Sequence, residues 1–256
     1  MADTATADED VLIALEDGVL SIVLNDEAGR NVLSVRLMRA IMSAIEDAAT
    51  DPDVRIILVS NVGKIFCAGA DLKAAPSESS AQLFSDLLLA ILRSPRPTVA
   101  RITGHAMGGG VGLAAAFDIS IASEECKMGF TEVRLGVVPA VISAVCLPKM
   151  RRGEALDAFL RGNRFDAVRA AELGLITRAV AADAIDAEIA SILADLRLGG
   201  PAALAIAKQI IATVPGMPTE EAIAKMANLS AEVFASPEAR AGTDAFKERR
   251  LPPWAS

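Results

Sequence analysis

Three consecutive glycines precede an uncharged, alanine-rich run in the segment GHAMGGGVGLAAAFDI, residues 104–119. Glycine costs about 0.5–1 kcal/mol more than alanine inside a helix, so a run of glycines at a helix start needs a reason. The stretch before it, RPTVARITG (96–104), is typical of a strand. The pattern predicts a strand that leads through Gly108, Gly109 and Gly110 into a helix. The glycines serve either close packing or the exposure of peptide N–H groups.

A second corner of small residues follows another predicted strand. The stretch VRIILVSN (54–61) is apolar and β-branched, and KIFCAGADLKAAP (64–76) comes after a short loop. Taken alone, this corner predicts a tight loop capped by Asp71. Taken together, the two corners could both present backbone N–H groups, which suit an anion or a developing oxyanion.

Composition and charge exclude several classes of protein. The chain has 256 residues, of which 52% are hydrophobic, and its net charge of −8 argues against binding to nucleic acid. The three cysteines, Cys67, Cys126 and Cys146, form no disulfide or metal pattern and fit a reducing cytoplasm. One histidine argues against a transition-metal site. No uncharged apolar stretch is long enough to span a membrane.

The type of predicted element changes along the chain. VLIALEDGVLSIVLN (11–25) predicts a hairpin that turns at Asp17 and Gly18, and strands then alternate with helices. From about residue 140 onward the spacing of apolar residues is helical almost throughout. We therefore divide the chain into a disordered leader (1–10), a mixed core (11–195) and a helical C-terminal region (196–256).

These segments together resemble the crotonase, or enoyl-CoA hydratase/isomerase, superfamily. The similarity runs from residue 11 to Trp254 and includes RPTVARITGHAMGGG, FTEVRLGVVPAVIS (130–143), FDAVRAAELGLITRAV (165–180) and AFKERRLPPW (245–254). It implies an α/β fold, with a crotonase-like β-β-α spiral as the core and a C-terminal trimerisation region. It also implies an acyl-CoA substrate, no separate cofactor because coenzyme A is part of that substrate, and a homotrimer or homohexamer.

The resemblance assigns catalytic roles to three residues. Ala70 and Gly109 match the two backbone N–H donors that hold the thioester carbonyl oxygen, and Glu132 matches the glutamate that transfers protons. Negative charge grows on that oxygen as an enolate forms, and each fixed donor there contributes about 2.7–4 kcal/mol. Without the resemblance, Glu132 would be read as an exposed first-turn residue behind an N-capping Thr131.

Contacts to the substrate and to coenzyme A are expected near the first corner and at the C-terminus. Ala68, Asp71, Leu72 and Lys73 match the family's substrate-binding and nucleotide-contacting region. Arg249 matches a basic residue that reaches the coenzyme A of a neighbouring subunit. Lysines and arginines are most often solvated, so Lys73 and Arg249 could equally be ordinary surface charges.

One position departs from the family's pattern. Hydratases with two glutamates carry the second one three residues after the glycine of the oxyanion hole, and that position here is Gly112. Residues i and i+3 share a helix face, so a side chain there would project beside the substrate. We expect bare space and an apolar wall at Gly112.

The missing glutamate leaves the reaction open. A single glutamate suits double-bond isomerisation, whereas GGGVGL combined with TEVRLGVVPAVIS looks like a subgroup assigned as hydratases, methylglutaconyl-CoA hydratase among them. We therefore expect an enoyl-CoA hydratase, with an isomerase or another single-glutamate reaction as the alternative. A catalytically inactive acyl-CoA-binding homologue and a hydrolase remain further alternatives, although the chain has no GxSxG elbow.

Overall fold

The computed structural model describes residues 10–71 and 78–255, with the backbone alone for Glu78. Residues 1–9 of the predicted leader lie outside this part of the chain, and the domain boundaries stay a prediction. The strands are β1 (Val11–Glu16), β2 (Val19–Leu24), β3 (Ile56–Asn61), β4 (Ile65–Cys67), β5 (Thr98–Ile102), β6 (His105–Met107), β7 (Ile119–Ser123), β8 (Lys127–Gly129), β9 (Phe165–Asp166) and β10 (Arg178–Val180).

The helices lie between the strands and, from residue 185 on, follow one another. They are α1 (Val35–Thr50), α2 (Glu78–Arg93), α3 (Gly109–Ala116), α4 (Ala140–Cys146), α5 (Arg152–Arg161), α6 (Ala167–Glu172), α7 (Ile185–Leu198), α8 (Pro201–Thr213), α9 (Thr219–Phe234) and α10 (Pro237–Lys247). Short 3-10 helices cover Thr131–Leu135, Leu147–Lys149 and Val214–Gly216.

The strands form two sheets that the chain visits in turn. The larger sheet has the order β1-β2-β3-β5-β7-β10 and the smaller one β4-β6-β8-β9. Three times in succession, one strand joins the larger sheet, the next joins the smaller sheet, and a helix follows. This repetition is the β-β-α spiral that the resemblance implied. It places the exits of β4 and β6 next to each other, because these two strands pair in parallel.

Local sequence explains the first elements. The predicted hairpin is confirmed as the antiparallel pair β1 and β2, and both turn residues, Asp17 and Gly18, have positive φ, as a two-residue hairpin turn requires. Helix α1 begins after Ser34, whose Oγ accepts a hydrogen bond from the Leu37 N–H at 3.1 Å. Strand β3 has a parallel partner along each of its two edges. Parallel sheets are usually covered on both faces, which accounts for the apolar run of this strand.

Helix α3 is enclosed by the rest of the core. Every residue from Gly110 to Ala116 is buried, so no side of the helix can carry a charged residue. Lys149 fixes its C-terminal end, since the Lys149 Nζ donates a hydrogen bond of 2.6 Å to the Ala115 carbonyl oxygen. The uncharged run of the sequence is therefore a buried helix whose C-terminal end is held by the hydrogen bond from Lys149.

The last helices pack loosely on the described part of the chain. Helix α8 has no buried residue, and Ala222 is the buried residue of α9. Large apolar side chains on these elements face outward, among them Ile211, Phe234 and Phe246. These side chains lie on three successive helices and are exposed by 74%, 76% and 83%, respectively.

No single helix of the described residues is both long and apolar enough to cross a membrane. The segments Ile185–Leu198 and Pro201–Gly216 reach the necessary length and apolar composition only together, and a bend of 107° separates them.

Candidate active site

The two glycine-containing corners meet backbone to backbone. Gly69 has a φ of +88°, and a Cβ placed on it would lie 2.7 Å from the Met107 carbonyl oxygen and 3.2 Å from the Gly109 nitrogen. A Cβ on Gly110 would lie 2.2 Å from the Cys67 carbonyl oxygen. Both contacts are too short for any side chain, so these two glycines serve close packing. The packing brings the exit of β4 against the first turn of α3.

The same approach leaves two N–H groups without a partner. Among the described residues, neither the Ala70 nor the Gly109 N–H has a hydrogen-bond acceptor. Gly109 is the first residue of α3, where N–H groups have no acceptor within the helix, and its N-cap Gly108 has no side chain to supply one. The glycines therefore serve both functions that the sequence left open, since close packing of Gly69 against Gly109 leaves the N–H groups of Ala70 and Gly109 without an acceptor among the described residues.

Glu132 lies beside this pair of donors. It belongs to the 3-10 helix that follows β8, and its Oε1 is 2.9 Å from the position that a Cβ on Gly108 would take. Its Oε2 is buried and has no hydrogen-bond partner among the described residues. Burial raises the pKa of the Glu132 carboxyl above its ordinary value. An unpaired carboxyl oxygen of raised pKa beside two free N–H groups is typical of a site for proton transfer.

A cavity of about 440 Å³ joins these groups. Its lining includes Ala70, Gly109 and Glu132, and its walls are mainly apolar. The other lining residues are Leu33, Ser34, Val35, Met38, Asp71, Ser80, Ala81, Phe84, Val137, Val138, Pro139, Ala140, Val141 and Ile142. The site is thus a hydrophobic pocket with a few convergent polar groups, which is the usual form of a small-molecule site.

The structure brings together four of the residues that the sequence singled out, namely Ala70, Asp71, Gly109 and Glu132. Ala68 is not part of the cavity lining, and its N–H donates to the Arg30 carbonyl oxygen at 3.2 Å, which anchors the first corner.

Three predicted contacts to the substrate or to coenzyme A are not tested by the cavity. Leu72 and Lys73 lie outside the described residues. Arg249 is exposed near the C-terminus, with a φ of +55°, and does not line the cavity. Its role toward a neighbouring subunit stays a prediction.

The bare space expected at Gly112 is absent, and this expectation was wrong. A Cβ on Gly112 would lie 2.0 Å from Cγ2 and 2.5 Å from Cβ of Ile142. Ile142 is on α4, is 2% exposed and lines the cavity. An apolar wall does stand here as expected, but the residue that forms it lies 30 positions away in the sequence.

Within the described residues, no group of three or more His, Cys, Asp or Glu side chains could hold a metal ion.

Comparison with known proteins agrees with this geometry. A family model described as enoyl-CoA hydratase/isomerase matches residues 14–256. An enoyl-CoA hydratase of Mycobacterium tuberculosis is 30% identical over 97% of this chain and 97% of its own length. The crystal structure of a Mycobacterium smegmatis enoyl-CoA hydratase superposes with a TM-score of 0.90 at 30% identity, covering 96% of this chain and 99% of that one.

A third relative extends the agreement. The structure of an enoyl-CoA hydratase from Shewanella pealeana has a TM-score of 0.91 at 28% identity and covers 98% of this chain and 97% of its own. The fold and the pocket define an enzyme of the crotonase superfamily. The chain belongs to the enoyl-CoA hydratase/isomerase family.

Proposed function

We propose that this chain is an enoyl-CoA hydratase, which adds water syn across the 2,3 double bond of an acyl-CoA thioester. The observation that supports this most directly is the meeting of two unpaired N–H groups, at Ala70 and Gly109, with the Glu132 carboxyl in one apolar cavity. The relatives described above are named as enoyl-CoA hydratases, which favours the same reaction.

The oxyanion hole supplies the electrostatic part of the mechanism. When water attacks C3, the electrons of the double bond move toward the thioester carbonyl and form an enolate. The N–H groups of Ala70 and Gly109 would donate to the enolate oxygen. Because apolar walls keep the local dielectric constant low, these hydrogen bonds stabilise the charge more than they would in water.

Glu132 supplies the proton transfers. Its carboxylate takes a proton from the attacking water as the C3–O bond forms, and the carboxylic acid then gives that proton to C2 of the enolate. One group acts from one side of the substrate, so both additions occur on the same face. The raised pKa of Glu132 makes its carboxylate a stronger base and matches the group to work nearer neutral pH.

Double-bond isomerisation is the second candidate, and the contact between Ile142 and Gly112 favours it. Ile142 fills the place from which a second glutamate would hold water, so that wall offers only C–H groups. In this reaction Glu132 would take a proton from C2 of a 3-enoyl thioester and return it to C4.

Mass spectrometry in oxygen-labelled water separates the two candidates. We expect a 2-enoyl-CoA to gain labelled water at C3, and the Glu132→Gln variant to turn over at least about 100-fold more slowly with little change in affinity for the CoA ester. Conversion of 3-enoyl-CoA into 2-enoyl-CoA without addition of water would select the isomerase. Binding of CoA esters without turnover of any enoyl-CoA would identify a non-catalytic homologue.

We also propose that the enzyme works in the cytoplasm as a homotrimer or homohexamer and needs no separate cofactor. The outward apolar side chains of α8, α9 and α10 support assembly, because such a surface is stabilised when copies cover it. Sedimentation velocity of the purified protein tests this, and a monomer at micromolar concentration would contradict it. Full activity of dialysed enzyme on the CoA ester alone would support the absence of a cofactor.

A further inference from the structure

The volume beside α3 can be filled from either of two elements. Ile142 now occupies it from α4, and a Cβ on Gly112 would fall 2.0 Å from the Ile142 Cγ2. Isoleucine is stiff at χ1, so its side chain cannot swing away easily. A side chain at position 112 and Ile142 in its present place exclude each other.

The position of this contact in the cavity gives it a role. Gly112 lies three residues after Gly109, on the same helical face and about one turn from the N–H that would bind the thioester oxygen. Ile142 lines the same cavity as Glu132 and Gly109. A thioester held at Gly109 would therefore extend its first acyl carbons past the Ile142 side chain.

The wall cannot shift easily to admit a wider substrate. Helix α3 is buried from Gly110 to Ala116, and Lys149, which follows α4 closely in the chain, donates to the Ala115 carbonyl oxygen at 2.6 Å. The bare backbone of Gly112 lets α4 approach α3 closely, and this contact sets the distance between the wall and the oxyanion hole.

We propose that Ile142 is a specificity-determining residue, which limits the width of the acyl group beside the reacting carbons. The site therefore prefers thioesters without a substituent at C3 to those with an alkyl branch there. This inference rests on the proposed function for the identity of the ligand. It concerns the discrimination between acyl groups, whichever reaction Glu132 performs on them.

Binding measurements on saturated thioesters test the proposal without relying on turnover. Titration calorimetry gives Kd for butyryl-CoA and for 3-methylbutyryl-CoA, with the wild type and with Ile142→Ala. A single methyl group in an apolar pocket changes affinity by about tenfold or more. We expect the Kd ratio to shift by about that factor toward the branched thioester in Ile142→Ala, and in the same direction but less in Ile142→Val.

A double variant and a control on the same helix make the test specific. In Gly112→Ala combined with Ile142→Gly, the new Cβ meets only the Cα of residue 142, at 3.5 Å, and enters the vacated volume. At least half of the shift seen in the single variant Ile142→Gly, on a logarithmic scale, should therefore disappear. Val145→Ala truncates a buried residue of α4 outside the cavity lining and should leave the ratio unchanged.

The outcomes separate this proposal from the proposed function. An unchanged ratio in folded Ile142→Ala, a double variant identical to the single one, or an equal shift in Val145→Ala would each overturn the role of Ile142. Wild-type protein that binds both thioesters but adds no water to any 2-enoyl-CoA would overturn the hydratase and leave this test valid. Wild-type protein that binds neither thioester would overturn both.

Discussion

Replacement of Gly108 by alanine should disturb catalysis through a contact that no sequence motif records. Gly108 has φ 52° and ψ −119°, a conformation that costs an L-residue about 1–3 kcal/mol. The added Cβ would lie 2.9 Å from the Glu132 Oε1, whereas ordinary contact begins at 3.4 Å. The carboxyl must therefore withdraw by about 0.5 Å, and since a misplacement of about 1 Å costs about 10²-fold in rate, we expect kcat to fall by about tenfold or more.

Gly136 offers a matched control at the end of the same 3-10 helix. It also has a left-handed φ, +76°, but a Cβ there would meet nothing within 4 Å. Gly136→Ala should therefore lose about 1 kcal/mol or slightly more of stability from backbone strain alone. Its kcat should stay within about threefold of the wild type, because Glu132 is not displaced.

The assay combines urea unfolding with steady-state kinetics on a 2-enoyl-CoA. Unfolding measures the strain in each variant, and kcat measures the displacement of the carboxyl. If Gly108→Ala retained the kcat of Gly136→Ala at comparable stability, the Glu132 carboxyl would not be the group whose position limits the reaction. That result would refute the mechanism derived from this site.

Three further predictions concern the same cavity. Burial raises the pKa of Glu132 in the folded state, so the stability that the group contributes is present at low pH and falls as pH rises from about 4.5 through the raised value. Glu132→Gln should therefore be more resistant to urea than the wild type at pH 8 but not at pH 4. An equal difference at both pH values would show that the carboxyl is not desolvated. Gly109→Pro removes one donor of the proposed oxyanion hole at a position where helices tolerate proline, and its Cβ would meet the Leu33 Cδ1 at 2.7 Å. Gly109→Ala makes the same contact but keeps the N–H, so it should remain active, whereas Gly109→Pro should abolish turnover with an unchanged circular dichroism spectrum. Activity retained by Gly109→Pro on any enoyl-CoA would mean that this N–H does not hold the thioester oxygen. Gly112→Glu should lower stability and activity because its Cβ would meet Ile142 at 2.0 Å, whereas a stable variant with faster hydration would show that α4 moves aside.

Sequence reasoning predicted the elements that are determined by residues close together in the sequence. The apolar β-branched run of β3, the Asp17-Gly18 turn and the helix that starts at Gly109 each follow from neighbouring residues, and the structure has all three. Glu132 was found through its similarity to a family segment, because its local pattern alone would have made it a surface residue. The position of its carboxyl against Gly108 distinguishes a residue that faces the cavity from a surface residue, and this position is known only from the fold.

The residues that sequence reasoning missed are those whose role depends on distant partners. Nothing in the composition of α4 shows that Ile142 fills the space beside Gly112, since the two positions are 30 residues apart and belong to different turns of the spiral. Leu33 and Phe84 were missed for the same reason. They meet the position of a Cβ on Gly109 at 2.7 and 3.5 Å, from segments that precede it by many residues.

The meeting of Gly69 with Gly109 has a consequence for how activity appears during folding. The two donors of the proposed oxyanion hole come from consecutive turns of the spiral, and the parallel pairing of β4 with β6 holds these turns together. Contacts between residues far apart in the sequence form slowly, because closing the long loop between them costs conformational entropy before the contact stabilises the chain. Helical signal depends mainly on contacts within each helix, whereas the proposed oxyanion hole exists only when the smaller sheet has closed. Recovery of enzyme activity on refolding would therefore report the closure of that sheet, not the formation of the helices.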